Sequence, residues 1–367
     1  MWFNSLTKWP DGFDYLNSGA WGPNVDFRNL DVSSFNAYRK NLDNTNFEGV
    51  NMSGKHMRES SFIGANFKNA ILSGAERTKS NFNNTNLTNT DFSGANISGS
   101  TFTGAIYDFI TRWPDCFDPV SAGAVLSDSQ SIELNSTVSL DLNWCSPGSF
   151  IMGDSGIGLA EHNVTLTEGF FLGKFEVTQA QYEAVMSGNT DGLNPKPSHW
   201  QNSPNRPVEN ICWNDTQVFL RRINTQQNQK LPNGWEFVLP TEAQWEYACR
   251  AGTTTSYSWG TDINSSRANY NNQVGQTSVA GLYPPNGFGF HDMNGNVYEW
   301  VSDWYSDYGS TAQTNPKGPD SGTNKCIRGA GFNSPGSQLI SAYRYNYGPG
   351  SKYNSFGFRI ALIKNSQ

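Results

Sequence analysis

From Phe27 to Tyr107 the chain keeps a five-residue period. Every fifth residue reads Phe27, Val32, Ala37, Leu42, Phe47, Met52, Met57, Phe62, Phe67, Leu72, Arg77, Phe82, Leu87, Phe92, Ile97, Phe102 and Tyr107; sixteen of these 17 are apolar, so Arg77 alone breaks the series. From Ser60 to Ala105 the residue two places before each is small: Ser, Ala or Thr throughout. A chain that turns every five residues sends one large and one small side chain inward. Stacked coils then bury both. The segment Thr7-Lys-Trp-Pro-Asp-Gly-Phe-Asp14 recurs as Thr111-Arg-Trp-Pro-Asp-Cys-Phe-Asp118, one copy on each side of the periodic stretch. Two such copies are expected to cover the open ends of a repeat.

This pattern resembles the pentapeptide-repeat family, which implies a right-handed quadrilateral β-helix with four units to a coil. Seventeen units then make about four coils, and at a strand spacing of ~4.8 Å the prism is ~20 Å long. Some members of that family mimic DNA, which needs a long acidic rod. Residues 25–107 carry seven acids against eight Lys and Arg, so a spacer, a docking platform or a surface for oligomerisation is expected instead.

The 367 residues suggest two domains, expected as the repeat with its end pieces over 1–118, a linker over 119–137, and a second domain over 138–367. A formal net charge of −7 argues against nucleic acid as a partner. No run of 18 apolar residues is present, so no membrane span is expected. The first residues lack a basic segment followed by an apolar one, which predicts no signal peptide and a cytoplasmic or phage- or surface-associated protein. The five cysteines, Cys116, Cys145, Cys212, Cys249 and Cys326, lie far apart and form no CxxC pair; they read as free, mostly buried thiols.

In the second domain Val138–Trp144 alternates apolar and polar residues and predicts a strand, with another over Phe170–Val177. Thr178-Gln-Ala-Gln181 and Thr241-Glu-Ala-Gln244 are capping boxes that open helices. Asn214 or Asp215 is expected to cap a further helix. The stretch Asn286–Trp304 then places Asp292 and Glu299 on either side of Asn294, Gly295 and Asn296, which accept turn and left-handed conformations. Such a loop can aim both carboxylates and the carbonyls between them at one hard cation, calcium above others. Spacing alone equally allows a tight turn with two solvated acids.

The segment Gly295-Asn-Val-Tyr-Glu-Trp-Val-Ser-Asp-Trp-Tyr305, together with PGSFIMG (147–153), FFLGKFEVTQAQY (170–182), LPTEAQWEYACRAG (239–252) and RGAGF…SAYR…GFR (328–359), resembles the formylglycine-generating-enzyme-type domain. The resemblance covers about 138–363 and implies an α+β, C-type-lectin-like fold. It also implies a calcium site formed by Asp292, the Gly295 and Val297 carbonyls, and Glu299. A second calcium site of the family needs an acid after Ala268-Asn269, and none occurs between Asp262 and Asp292.

The same resemblance raises an oxidase that makes formylglycine with copper held by two cysteines in the segment after the family's GGSW-like motif. No cysteine follows Cys326; Ser334 and Leu339 stand about where the pair would fall. Copper(I) wants soft thiolates, so copper is not expected. His56, His162, His199 and His291 form no HxxxH or HxE pattern, and no GxSxG or GxxxxGK[ST] occurs. An uncharacterised enzyme in the same cleft stays open as the alternative.

Residues 332–356 point elsewhere. Seventeen of the 25 are Tyr, Phe, Asn, Ser or Gly, which is the composition of an antibody paratope. The pattern resembles the variable region of proteins diversified by retroelements, in which asparagine codons are mutated at adenines on this type of lectin scaffold. The departure is Ala330-Gly331-Phe332, where that pattern reads Gly-Ser-Trp. The implied ligand surface is Phe332, Asn333, Ser334, Tyr343, Tyr345, Asn346, Tyr347, Ser351, Tyr353, Asn354, Ser355 and Phe356. The framework between is Arg328-Gly329, Ser341-Ala342, Arg344, Pro349, Lys352 and Gly357-Phe358-Arg359. The expected function is non-catalytic binding of a protein or cell-surface ligand.

Overall fold

The computed structural model describes residues 21–76, 78–201, 203–232 and 234–364. The first end piece (Thr7–Asp14) and Arg77 lie outside the described residues. The chain divides into two compact units between Asp128 and Ser129.

In the first unit, every fifth residue from Arg39 to Gly104 has a positive φ, between 53° and 71°. These residues are mostly Gly and Asn, which tolerate the left-handed region best. Each one turns the chain, and the turn sets the period. Parallel bridges join residue i to i+20, from Asn36↔His56 to Asn86↔Ile106. One coil is therefore 20 residues, or four five-residue units. Phenylalanines 20 apart stack face to face: Phe27 on Phe47 at 4.4 Å, Phe47 on Phe67 at 4.9 Å, Phe62 on Phe82 at 5.1 Å and Phe82 on Phe102 at 5.2 Å. Those spacings match the separation of neighbouring strands. Polar residues at the small inward positions bond to backbone: Thr85 Oγ1 donates to Phe82 O at 2.6 Å and Ser80 Oγ to Met57 O at 2.5 Å. That is why Ser and Thr replace Ala there without leaving a bare hydroxyl.

The second copy, Thr111–Asp118, packs on the coil. Trp113 stacks on Phe92 at 5.2 Å, and Phe117 meets the edge of Phe102 at 5.3 Å. The chain then continues the coil: strand β1 (Ile106–Tyr107) pairs in parallel with β2 (Val125–Leu126).

The second unit begins earlier than expected. Strand β3 (Ser129–Glu133) alternates outward and inward residues and pairs antiparallel with β4 (Ser139–Cys145). Its two inward residues, Gln130 and Ile132, are too few to raise a periodic signal, so the segment reads as connection in sequence. There follow β5 (Gly148–Asp154), β6 (Leu159–Leu166), β7 (Phe170–Gly173), α1 (Gln179–Met186), α2 (Trp213–Gln227), β8 (Trp235–Val238), α3 (Glu242–Arg250), β9 (Tyr298–Trp304), β10 (Gln313–Thr314), β11 (Lys325–Arg328), β12 (Arg344–Tyr347), β13 (Phe356–Phe358) and β14 (Ala361–Lys364). Thr178 and Thr241 cap α1 and α3 through complete capping boxes. At α2 the cap is Cys212, not Asn214 or Asp215. Asp215 sits three residues in and accepts from the Cys212 N–H at 3.0 Å, supplying the reciprocal half of the box.

Three sheets result: β3-β4-β7-β14-β8, antiparallel throughout; β12-β11-β9-β13, with β13 parallel to β9; and β10-β6-β5. Their common core gathers Leu172, Trp245, Phe290, Val301 and Ala361. Strand β9 leaves the 292–297 loop directly and lies between β11 and β13, so the loop and the closing segment share one sheet. Among the described residues no helix is long and apolar enough to cross a membrane.

Candidate functional site

The loop before β9 is tightly made. Asp292, Gly295 and Asn296 all have positive φ (56°, 112° and 65°). A Cβ on Gly295 would stand 2.6 Å from the Asn269 carbonyl oxygen, so only glycine fits. Glu299 is fully buried. Its Oε1 accepts from Arg359 Nη2 at 2.9 Å, and its Oε2 from Trp245 Nε1 at 2.8 Å and Arg359 Nε at 3.1 Å. Arg359, also fully buried, spends its remaining donors on the Gly173 and His291 carbonyls.

Asp292 is buried too. Its Oδ2 accepts from the Gly281 N–H at 2.6 Å, while Oδ1 has no partner. A third acid, Glu176, three residues past β7, completes the group, and no spacing in the sequence points to it. Asn296 Nδ2 donates to its Oε1 at 3.0 Å, and its Oε2 has no partner. Burial, and then the charge of Asp292, push the Glu176 carboxyl well above the usual range. Burial likewise raises Asp292, against the pull of the Gly281 N–H.

The calcium set implied by the resemblance fits in part. Asp292 offers a bare, buried oxygen, the right donor for a hard cation. Glu299 has both oxygens committed to a guanidinium and an indole. Among the described residues, no three His, Cys, Asp or Glu side chains converge as metal ligands.

The closing segment is pinned by a second buried ionic cluster. Glu242, the first residue of α3, accepts two bonds from Arg344 (Nε to Oε1 at 2.8 Å, Nη2 to Oε2 at 2.6 Å) and one from Arg328 at 2.9 Å. Glu246, one turn on, takes Arg328 Nη2 at 2.6 Å and Arg250 Nε at 2.9 Å. Attraction to Glu242 holds the Arg344 guanidinium charged despite burial. Capping boxes reveal α3, but nothing in the spacing shows that its two acids receive arginines some 80 to 100 residues later.

Above this base, strand alternation turns Arg344 inward and Tyr345 outward. Tyr345 is 44% and Tyr353 49% exposed, and Asn333 is exposed as well. Tyr343, Asn346, Tyr347, Ser351 and Asn354 are half-buried. Four residues expected at the ligand surface are instead buried: Phe332, Ser334, Ser355 and Phe356. Phe356 lies under Tyr347 and Tyr353, with ring centroids 4.8 Å from each, and Phe332 faces Trp200. Ser334 Oγ donates to Tyr298 Oη at 3.0 Å, and Tyr298 Oη donates to Gln338 Oε1 at 2.9 Å. Burial pushes the Tyr298 phenol up to about 12, so it stays a donor. Leu339 is fully buried beside this chain of bonds. The positions that would need copper-binding thiolates thus carry a hydroxyl in a neutral network and an aliphatic side chain. The four cysteines of this unit are free and buried elsewhere.

Residues 131–364 match the Sulfatase-modifying factor enzyme 1-like domain, and eight pentapeptide repeats match within 41–76 and 78–106. Over 181 residues the chain is 31% identical to the formylglycine-generating enzyme of Mus musculus, covering 43% of this chain and 44% of that protein. Over 128 residues it is 41% identical to serine/threonine-protein kinase pkn1 of Chlamydia pneumoniae, covering 34% of this chain and 20% of that protein. It thus spans between a fifth and just under half of these relatives' length. Among solved structures, Treponema denticola variable protein 1 superposes with a TM-score of 0.57 at 26% identity, over 64% of this chain and 99% of the other.

Proposed function

Since the chain belongs, over residues 131–364, to the sulfatase-modifying factor enzyme 1-like family, with a C-type-lectin-like fold behind pentapeptide repeats, we propose that it is a non-catalytic, retroelement-diversified binding protein. The observation that carries this reading is the split in burial along 332–356. Arg344 and the flanking Arg328 and Arg359 are buried and ion-paired, while Asn333, Tyr345 and Tyr353 face outward. The proposed surface is Asn333, Tyr343, Tyr345, Asn346, Tyr347, Ser351, Tyr353 and Asn354, supported from below by Phe332, Ser334, Ser355 and Phe356. Tyrosine offers large contact area at low entropy cost, and Asn and Ser adapt their hydrogen bonds, which suits a protein or cell-surface ligand that changes. Likeness to a solved variable protein supports the reading.

The second reading is an oxidoreductase like the formylglycine-generating enzyme, favoured by the 31% identity to the mouse protein. Ser334 and Leu339 count against copper, because neither supplies a soft donor. Four units per 20-residue coil support a right-handed quadrilateral β-helix for the first unit, which we read as a spacer, docking or self-association module. Calcium at the 292–299 loop would be structural.

The test is genomic and biochemical. A near-identical repeat of the segment encoding 332–356, differing only at adenines and lying beside a reverse transcriptase gene, is expected near this gene. Its absence, or formylglycine formed on a cysteine peptide when copper is supplied, would overturn the proposal.

A further inference from the structure

Resting on the binding surface read above, we propose that its partner docks as an extended polypeptide strand added to the free edge of β12. Strand β12 (Arg344–Tyr347) is outermost in its sheet and pairs on one side only, antiparallel with β11. In an antiparallel pair every second residue turns both its N–H and its C=O away from the neighbour. Among the described residues, the backbone groups of 344–347 bond to nothing but β11. Groups left in that state are open to water or to a partner, because buried ones are almost always paired.

The other outer strands are engaged from within the unit. On β8 the Asn224 side chain accepts the Phe237 N–H at 2.8 Å and donates to the Phe237 carbonyl at 2.8 Å. On β5 Gly153 donates to Glu246 at 3.0 Å and accepts from Arg250 at 2.8 Å. On β13 the Phe358 carbonyl accepts from the Val177 N–H at 2.9 Å, and on β3 the Glu133 carbonyl accepts from Gln227 at 3.2 Å. Strand β10 has only two residues, too few to template a ladder. Open edges are usually blunted by Pro, Lys or a bulge. Strand β12 has no Pro or Lys, and its register with β11 runs without a shift. Its one charged residue, Arg344, is turned inward onto Glu242.

Side chains beside this edge suit the same partner. Tyr345, Tyr347 and Tyr353 form a row of rings, with centroids 5.4 Å apart from the first to the second and 5.4 Å from the second to the third. An added strand presents every second side chain to such a row. The arrangement also fits a surface whose residues change. Backbone bonds persist whichever side chains stand at 345–347, proline excepted, so the edge supplies constant affinity. The changing residues then select which strand is accepted.

The experiment uses the full chain as the target for linear random peptides displayed on phage. Peptides are kept when their binding falls in Tyr345→Ser and Tyr353→Ser, exposed changes that the fold should tolerate. A selected peptide is then resynthesised with its amides N-methylated one at a time. Binding should drop roughly tenfold or more at every second amide and change little at the amides between. Hydrogen exchange at the edge-facing amides of 344–347 should be rapid in the free chain and slow with peptide bound. A scan without alternation would mean contact through side chains alone, so that the strand proposal fails while the binding surface stands. A library that yields no peptide, or only peptides that bind the tyrosine variants as well as wild type, counts against both readings. If the free chain is a dimer whose 344–347 amides are already protected, a second copy occupies the edge and the proposal fails.

Discussion

Arg359 ties together the buried polar groups behind the loop before β9. It neutralises Glu299 and satisfies two carbonyls from separate parts of the chain, Gly173 and His291. Arg359→Ala leaves Glu299 buried and charged, so a loss of about 3–5 kcal/mol is expected by urea unfolding. A loss below about 1 kcal/mol would show that the pair is dispensable. Glu209 gives a pH prediction. It is buried, one oxygen accepts from the Trp200 N–H at 2.9 Å, and the other is bare. Burial raises its carboxyl from 4.5 to about 7. Folding favours the neutral acid, so its contribution is complete below the ordinary carboxyl value and lost as pH rises through about 7. Asp303, raised by burial to about 7, acts in the same direction. The melting temperature should therefore fall from pH 5 to pH 8, and Glu209→Gln should make that fall shallower. An unchanged slope in the variant would remove Glu209 as a cause.

At the scale of elements, the five-residue turn is the repeating unit of cost and stability. Most turns place Gly or Asn in the left-handed region, but Arg39, Glu59 and Lys79 occupy it in one column, at φ of 56°, 55° and 58°. Glu59 is paired with Arg39. Lys79 has a non-polar stem in a conformation that disfavours a Cβ, and Asn accepts it more readily. Lys79→Asn should stabilise the first unit by ~0.5–1 kcal/mol, read as an upward shift of its own thermal transition. No shift, or a downward one, would mean that the lysine contributes through contacts rather than strain. In the second unit the Thr178 cap is the corresponding local device. Thr178→Ala should cost ~1 kcal/mol, since it bares the Gln181 N–H at the start of α1.

For the whole molecule, the decisive contrast lies between a fixed base and an adaptable surface. Glu242 and Glu246 clamp Arg328 and Arg344, and both arginines are buried in this cluster. Tyr345 and Tyr353 stand outside it. Replacing either tyrosine by Ser or Asn should change unfolding free energy by no more than ~0.5 kcal/mol. Arg344→Ser should cost several times that, because Glu242 would lose its bidentate partner. A library varied at Asn333, Tyr343, Tyr345, Asn346, Tyr347, Ser351, Tyr353 and Asn354 should remain folded in most members. Widespread loss of soluble protein would contradict an adaptable surface.

The coil, the two capping boxes, the lectin-like motifs and the Gly295 turn are written in short-range pattern, and local sterics suffice to read them. An αL residue every five positions, or a Thr three residues before a Gln, acts within one turn of chain. What only the tertiary structure decides is which partners meet across long separations. Sequence spacing selected Asp292 and Glu299 as equal carboxylates, and packing makes them unequal by placing Arg359 on one of them. It brings Glu176, more than 100 residues earlier, to the same buried place. It also divides residues 332–356 between surface and floor: composition makes Tyr345 and Phe356 alike, whereas parallel pairing of β13 with β9 turns Phe356 under the tyrosines. Burial and long-range pairing depend on how the sheets close, and a linear pattern carries no measure of that.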